Sequence, residues 1–537
     1  MRKIKILDCT LRDGGYVNNW GFGEESILKI INKLNKANID MIECGFIKNK
    51  SYEIGSTVFD SVERVNEIFS NSIKDFKLLA MINYGQYDIN DIPKYNDNFL
   101  IKGIRVAFHK EEVKEALGYC RQIKEKGYKV FVQPMSTISY NDIEILSMIK
   151  EVNDINPYAI YIVDSFGVMK KNDLLRLFYL IDNNLNKNIS LGYHSHNNMQ
   201  LAFSNAQQLC DIHTERNLII DSSVFGMGRG AGNLNTELFV EHYNNNFEKK
   251  YEIYPLLEII DQELNKIYAE NYWGYSLPHY LSANNNCHPN FATYLANKNT
   301  LTINSIKQIL SRIPENKKSN FDKQYVEKLY QEYQKNDIDD EKTKERLIDE
   351  FKDKNIVILS PGKSLKEYNK DIRKYINDNS IIININFKSE EYPVDYIFFS
   401  NERRYLDYIE NSNKDNEKII ISSNLKKEVD VKNEYIINYN SLLNDNEIIY
   451  DNATLIFINF LIRCDYKNVY IAGFDGYVLN EKDSYIDPNM AHGTQAKDLI
   501  IRNEEISKKI KELDKKIRIK FITPTNYQKN LGDKDEK

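Results

Sequence analysis

The sequence predicts an α/β protein with two folded parts: an N-terminal (β/α)8 barrel bearing a helical extension, and a C-terminal Rossmann-like α/β domain. Three observations predict it. The first part of the chain, to about residue 240, alternates short β-rich runs with amphipathic helical stretches, eight units in all, the usual content of a closed barrel. Polar residues gather where those runs end. After a densely charged stretch, strand-then-helix alternation resumes near Lys354. A chain of 537 residues is also too long for a single hydrophobic core.

The strand-like runs are 4–9, 41–46, 77–82, 103–108, 129–133, 159–163, 189–193 and 218–224, with helices expected over 24–37, 111–126, 141–152 and 172–183. The first helix shows why: Ile27, Ile30, Ile31 and Leu34 recur at helical spacing and form one apolar face. A doubly wound open sheet is the alternative, but eight consecutive units favour closure. Arg12 and Asp13 follow the first run, Glu43 lies on the second, and Asn83 follows the third. Arg105 and His109 flank the fourth, Gln133 ends the fifth, and Asp164 and Ser165 end the sixth. A barrel brings all these ends to one rim, where active sites are built.

The domain limits expected are 1–245 for the barrel, 246–312 for a helical extension, 313–353 for a charged helical connector and 354–537 for the second domain. The extension is rich in aromatic residues (Tyr268, Tyr272, Trp273, Tyr275, Tyr280, Tyr294) and is expected over the barrel mouth or against a partner subunit. In the second domain, strands are expected at 355–359, 380–384, 395–399, 418–422 and 468–472, with a helix at 453–463.

A formal net charge of −6 argues against a nucleic-acid surface spread over the whole chain. No run approaches the ~20 apolar residues of a membrane span, and the start of the chain lacks a signal-peptide core. Six scattered cysteines without a C-x-x-C pair read as thiols in a reducing cytoplasm.

His194-Ser195-His196 places two imidazoles on one face at a strand end. Such a pair suits a divalent cation, or simply hydrogen-bonds at a surface. The opening Asp8-Cys-Thr-Leu-Arg-Asp-Gly-Gly15 adds Asp13 as a hard oxygen ligand. It also places Arg12 where a guanidinium would steady an enolate oxygen. Phe225-Gly-Met-Gly-Arg-Gly-Ala-Gly-Asn233 follows the eighth run as a glycine-rich loop. Its amides or Arg229 suit an anion, and Asn233 offers a further metal ligand. Glu43, Arg105, Gln133 and Ser165, with Arg229, are the candidate substrate-binding residues.

Together, Asp8…Arg12-Asp13-Gly14, His194-x-His196 and Gly226-x-Gly-Arg-Gly-Ala-Gly-Asn233 resemble the DRE-TIM metallolyase superfamily over roughly the first 300 residues. That superfamily includes 4-hydroxy-2-oxovalerate aldolase, 3-hydroxy-3-methylglutaryl-CoA lyase and isopropylmalate synthase. The resemblance implies Mg²⁺ or Mn²⁺ on Asp13, His194 and His196, and carbon–carbon bond cleavage or formation through a pyruvate-type enolate steadied by Arg12. Its hydroxy-oxovalerate aldolases carry a histidine after the Arg-Asp-Gly turn, where this chain has Tyr16. A tyrosine is a poorer base at neutral pH, so Tyr16, His109 and His288 are the candidates for acid–base work. The region from Trp273 to Phe291 resembles the helical segment that follows the barrel in aldolase-like proteins encoded near surface-polysaccharide genes.

In the second domain Ser360-Pro-Gly-Lys-Ser364 lacks P-loop spacing, but as a strand–turn–helix it suits a phosphate at a helix N-terminus. With Asn384-x-Asn386, Phe399-Ser-Asn-Glu-Arg403 and Ala472-Gly-Phe-Asp-Gly476, it weakly resembles the Rossmann-like domains of family 42 sialyltransferases and archaeal-type pterin pyrophosphokinases. The resemblance implies nucleotide contacts at Gly362, Ser364, Asn384, Ser400 and Asp475; an inactive module used for assembly is the alternative. The expected activity is a metal-dependent aldolase acting on a 2-oxo acid and an aldehyde, with a nucleotide or nucleotide sugar as a further partner in surface-glycan biosynthesis. A Claisen-type acyl-CoA synthase and a glycosyltransferase with an accessory barrel are the alternatives. Related barrels associate, so a homo-oligomer is expected.

Overall fold

Strands with one face toward a barrel axis and the other toward helices read as nearly continuous apolar runs, and eight such strands close the first sheet. The computed structural model describes residues 3–70, 78–411, 418–427, 434–491 and 496–528; Lys77, expected to open the third strand, lies outside them. The strands are β1 (Ile4–Asp8), β2 (Met41–Ile47), a short β3 (Val58–Phe59), β4 (Leu78–Asn83), β5 (Ile101–Phe108), β6 (Lys129–Pro134), β7 (Ala159–Asp164), β8 (Ser190–Ser195) and β9 (Leu218–Ser222). They run parallel in the order β1-β9-β8-β7-β6-β5-β4-β2, and β1 also pairs with β2, so the ring is closed. The two-residue β3 hangs beside β2.

This barrel has two cores. Ile27, Ile30, Ile31 and Leu34 of helix Glu24–Lys36 pack with strand residues such as Ile4 and Ile42 in the layer between strands and helices. Inside the ring, Leu7, Met41, Leu79, Phe131, Tyr161 and Ile219 fill the axis. The polar strand ends stand above that plug, on the face expected to carry a site.

The second sheet comprises β10 (Asn355–Leu359), β11 (Ser380–Ile385), β12 (Tyr396–Phe399), β13 (Lys418–Ser422), β14 (Glu434–Ile437), β15 (Asn468–Ala472) and β16 (Arg518–Phe521). All are parallel, in the order β14-β13-β12-β11-β10-β15-β16. The strand order reverses beside β10, whose neighbours are β11 and β15. Strands β14 and β16 were not expected from sequence. Both are four-residue edge strands; β16 alternates exposed and half-buried residues, and the apolar run of β14 is only the three residues Tyr435–Ile437.

Contacts divide the chain elsewhere than expected. One compact unit comprises 1–293 and 313–321, the other 294–312 and 322–537. Most of the expected connector therefore belongs to the second unit. Helix Lys323–Gln334 buries Val326, Leu329 and Tyr330, and helix Glu341–Phe351 places Leu347 and Phe351 in the second unit's main core. Their charge covers only the outer face of amphipathic helices. Ser305, from the expected extension, donates to Glu402 of the second unit at 2.7 Å. No helix among the described residues is long and apolar enough to cross a membrane.

Candidate metal centre

Residues at the carboxyl ends of β1, β8 and β9 meet above the apolar plug. Asp13, His194 and His196 are all buried, and one ligand atom of each lies within 4.8 Å of the others. His194 and His196 bracket Ser195, so both rings face inward, their centroids 5.4 Å apart. Asp13 reaches them because the chain turns back after β1, its amide donating to the Cys9 carbonyl at 2.8 Å.

Protonation is set by neighbours. His194 Nδ1 faces Asp221 Oδ2 at 3.0 Å, which leaves Nε2 toward Asp13 Oδ2 at 3.5 Å. Burial works against a charged His194, but its hydrogen bonds to Asp13 and Asp221 outweigh burial and raise its pKa. His196 goes the other way: burial pushes it down to about 3, with the Arg229 charge adding to the effect. Asp13 is held well below the usual carboxylate range; burial opposes ionisation, yet the Arg12 guanidinium and the histidines prevail.

The centre belongs to a closed ring of charges. Arg12 pairs with Asp13 and, through Nε, with Glu43 Oε2 at 2.8 Å. Glu43 Oε2 also accepts from Arg105 Nη1 at 2.8 Å, and Arg105 pairs with Asp221, which returns the ring to His194. Glu43 and Arg105 are fully buried. Both were expected to touch substrate; here they pair with each other and with Arg12 and Asp221, while Glu43 Oε1 has no hydrogen-bond partner among the described residues. Gln133 is likewise buried and, with its amide oxygen toward Arg105, accepts from Nε at 3.1 Å and Nη2 at 3.0 Å.

The glycine-rich loop completes the mouth. Asn233 forms an isolated bridge with His196. A side chain at Gly228 would lie 2.3 Å from Asn233 Nδ2 and 3.1 Å from Asp13 Oδ1, so only glycine admits both groups there. The Asn233 Oδ1 and His196 Nδ1 atoms are buried and have no hydrogen-bond partner among the described residues. An oxygen–nitrogen donor set of this kind, with two atoms unsatisfied, fits a hard or borderline divalent ion. Trp273 covers the loop from the extension, its indole donating to the Phe225 carbonyl at 2.9 Å.

Half-buried Arg229 joins several expected residues. Its amide reaches Asp13 Oδ1 at 3.4 Å, its Nη2 donates to the Ser165 carbonyl at 3.0 Å, and its guanidinium lies 5.6 Å from the Tyr16 ring centroid. Ser165 also accepts from the Ser136 amide through Oγ at 2.9 Å. Tyr16 stands partly exposed against Trp20, their centroids 4.8 Å apart. His288 accepts from the Asn290 amide through Nδ1 at 3.2 Å, which places the ring proton on Nε2. Burial, then the nearby charge of Arg229, press His288 down to about 2. His109 takes a different part: its amide donates to Glu112 at 2.8 Å at the start of the turn Lys110–Glu112, and no bond among the described residues joins it to the triad. Asp164 caps the loop after β7 through the Val168 and Met169 amides. Sequence reading passed over Asp221, although an acid ending the run Leu-Ile-Ile-Asp inside an apolar strand was its signal.

Known proteins resemble the part of the chain that carries this site. The HMGL-like family model matches residues 3–261. Those residues form an HMGL-like domain. Among curated proteins, a 4-hydroxy-2-oxovalerate aldolase of Geobacillus genomosp. 3 is 26% identical over 240 residues, 44% of this chain and 69% of that protein. An oxaloacetate decarboxylase of Mycobacterium tuberculosis is 24% identical over 244 residues, again 44% of this chain and 69% of the relative. Among solved structures, the N-terminal domain of an aldolase candidate from Bacteroides vulgatus is 28% identical, with a TM-score of 0.49 over 57% of this chain and 99% of that one. The HMGL-like domain contains the whole charged ring, whereas His288 lies beyond the matched residues.

In the second unit the residues expected to meet a nucleotide divide into two sets. Gly362 and Asp475 line an open cleft, and Ser364 donates its amide to Asp475 Oδ2 at 2.8 Å. The expected phosphate position at the amino end of the turn after β10 is thus filled by an internal carboxylate. Asn384 and Ser400 are buried beneath the rim, at the ends of β11 and β12.

Proposed function

We propose that the barrel is a divalent-metal lyase of the aldolase type that makes or breaks a carbon–carbon bond beside the carbonyl of a pyruvate-like 2-oxo acid. The observation that carries this reading is the buried Asp13–His194–His196 cluster with the Arg12 guanidinium fixed against it. Asp13, His194 and His196 would hold Mn²⁺ or Mg²⁺, with Asn233 as a further oxygen ligand. The ion supplies Lewis acidity toward the carbonyl.

The chain's own residues do the rest. Glu43 and Asp13 engage Nε and Nη1 of Arg12 and leave Nη2 over for a developing enolate oxygen. Asp221 fixes the orientation of His194. Arg229, half-buried and beside Asp13, suits the substrate carboxylate. Tyr16 and His288, both close to Arg229 in space or in charge, are the groups to pass a proton at the reacting carbon or alcohol. Charge supports an anionic substrate: the ring holds three carboxylates and two guanidiniums. With His194 neutral it is one negative, and one positive with a divalent ion, which a monocarboxylate balances. Of the second unit we propose that it holds a nucleotide or nucleotide sugar; its parallel sheet with a reversal in strand order supports this, and surface-glycan biosynthesis is the setting such a pairing suits.

Incubation with Mn²⁺ and pyruvate in D₂O tests the barrel. The expected result is ion-dependent deuterium uptake at the pyruvate methyl, reduced at least a hundredfold in Arg12→Ala. Absence of exchange with either ion, together with no product from pyruvate and an aldehyde panel, overturns the reading.

A further inference from the structure

The charged ring leaves out two cations of the barrel mouth. One is Arg229, placed beside Asp13, whose Nε is buried and has no hydrogen-bond partner among the described residues. The other is Lys48, the residue after β2. Its amide still donates to the Phe59 carbonyl at 3.0 Å, so the chain runs extended there and Lys48 falls on the same face as Phe46. Phe46 clusters with Met81 and Ala107. Met81 lies two residues beyond Leu79 of the apolar plug, so this cluster is the next layer up and its face is turned to the mouth.

Lys48 is held in place there without being neutralised. Its ammonium lies 4.6 Å from the Phe46 ring centroid and 5.3 Å from that of Trp20, and no carboxylate among the described residues pairs with it. Ring faces attract an ammonium through their quadrupole and fix its position, but they carry no charge to cancel. The charge that does act on Lys48 is that of Lys50, itself bound to Glu53 at 2.5 Å. Burial, then Lys50, lower the Lys48 pKa below its ordinary value. A half-buried ammonium next to a second cation is short of an anion.

An aromatic wall joins the two cations. The Arg229 guanidinium lies 5.6 Å from the Tyr16 centroid, Tyr16 packs on Trp20 at 4.8 Å, and Trp20 carries Lys48. Phe46 meets Tyr16 and Trp20 edge-on, and the Arg12 guanidinium lies 5.8 Å from its centroid. Contacts therefore run from Arg229 to Lys48 through Tyr16 and Trp20, and from Asp13 to Lys48 through Arg12 and Phe46. The groups that steady an enolate or pass a proton stand between two positive ends. A 2-oxo acid has one carboxylate and fills one end. A small neutral aldehyde would use the apolar wall and leave Lys48 unmatched.

Resting on the lyase reading of this site, we propose that the second reaction component carries an anionic tail, a carboxylate or a phosphate, which Lys48 binds at the β2 side of the mouth while Arg229 takes the carboxylate of the 2-oxo acid. The joined substrate thus bears an anion at each end, with its middle carbons along Tyr16, Trp20 and Phe46.

Aldol formation from pyruvate with Mn²⁺ tests this, comparing butanal with succinic semialdehyde and glyceraldehyde with glyceraldehyde 3-phosphate. At least one anionic aldehyde is expected to exceed its neutral counterpart tenfold or more in kcat/KM, and the pair that does so tells a carboxylate tail from a phosphate tail. Lys48→Gln, and Lys48→Met, which keeps the aliphatic stem on the rings, should bring that ratio to within twofold of one, chiefly through KM. Lys48→Arg should keep it. Deuterium exchange at the pyruvate methyl of the wild-type protein separates the two readings. Exchange without product from either anionic aldehyde, or without preference for one, overturns the anionic tail and spares the lyase reading. So does a preference that survives loss of the ammonium, or an equal loss of activity toward neutral and anionic aldehydes in both uncharged variants. No exchange with either ion overturns both.

Discussion

Both polar centres of this chain stand at the carboxyl ends of parallel strands, but they accommodate charge in different ways. In the barrel, Arg12, Arg105, Glu43, Asp13 and Asp221 neutralise one another in a closed circuit, and the two guanidiniums and three carboxylates are almost entirely out of water. In the second unit's cleft, Asp475 accepts from Ser364, Asp451 from Tyr330, and Glu447 pairs with Lys323 at 2.7 Å, so each carboxylate is held by a separate neighbour. A paired circuit fixes directions and holds a small rigid constellation, as an ion and a developing enolate require. Separate local contacts instead leave an open cleft between them. The difference teaches that a shared strand-end position determines where a site forms, while the pairing of its charges determines what it can take.

The largest test of that contrast removes one link of the circuit. Arg105→Met leaves Glu43 with Arg12 and Asp221 with His194 as their remaining ring partners, and loss of one partner from a buried ion network costs about 3–5 kcal/mol. The thermal transition of the barrel should fall by roughly 10 °C. Adding Glu43→Gln should recover part of the loss in calorimetry. Arg502→Gln, which gives up a bond to the Asn297 carbonyl, should cost the second unit about 1–2 kcal/mol. Equal losses at the two sites would erase the distinction.

A smaller effect probes a barrel carboxylate outside the circuit. Asp8 accepts from the Thr10 amide and the Thr236 hydroxyl, but burial raises its pKa to about 6. The folded state therefore holds the Asp8 proton more firmly than the unfolded chain. That contribution is fully present below the unfolded value near 4 and is lost as pH rises through 6, amounting to about 3 kcal/mol at most. Asp8→Asn should be the more stable protein at pH 7 relative to wild type, an advantage that shrinks toward pH 4 in denaturant titrations. A pH-independent difference would place Asp8 in the same ionised condition as Asp13.

The smallest expected effect lies at the turn after β10. Asp475→Asn keeps one acceptor for Ser364 but removes the charge, which should lower the second unit's stability by about 1 kcal/mol in thermal unfolding. No change would show that the turn does not depend on its internal carboxylate.

Much of the barrel was legible because periodicity and strand-end polarity are local signals. The expected run 103–108 and the observed β5 share their end at Phe108, and Asp13, His194, His196 and Asn233 do converge. Residue type could not separate a group that touches a ligand from one that positions its neighbour. Glu43 and Arg105 looked like mouth residues from their place in the strands, yet their side chains meet each other across the axis, and strand spacing carries no information about that pairing. The connector was misread for a related reason: charge density along 313–353 hid the narrow apolar stripe of Val326, Tyr330, Leu347 and Phe351. In the second unit Gly362 does line the cleft, but Asp475 comes from a loop more than a hundred residues away, and its occupation of the turn is a tertiary fact.

The circuit also has a hereditary consequence. Six side chains spread from position 12 to position 221 each depend on two neighbours in the ring, so their substitution energies cannot add. Exchange of one member is harmful until its neighbours change as well. Descendants of this barrel can therefore vary their outer rim one residue at a time, but can redesign the ring only through coordinated sets.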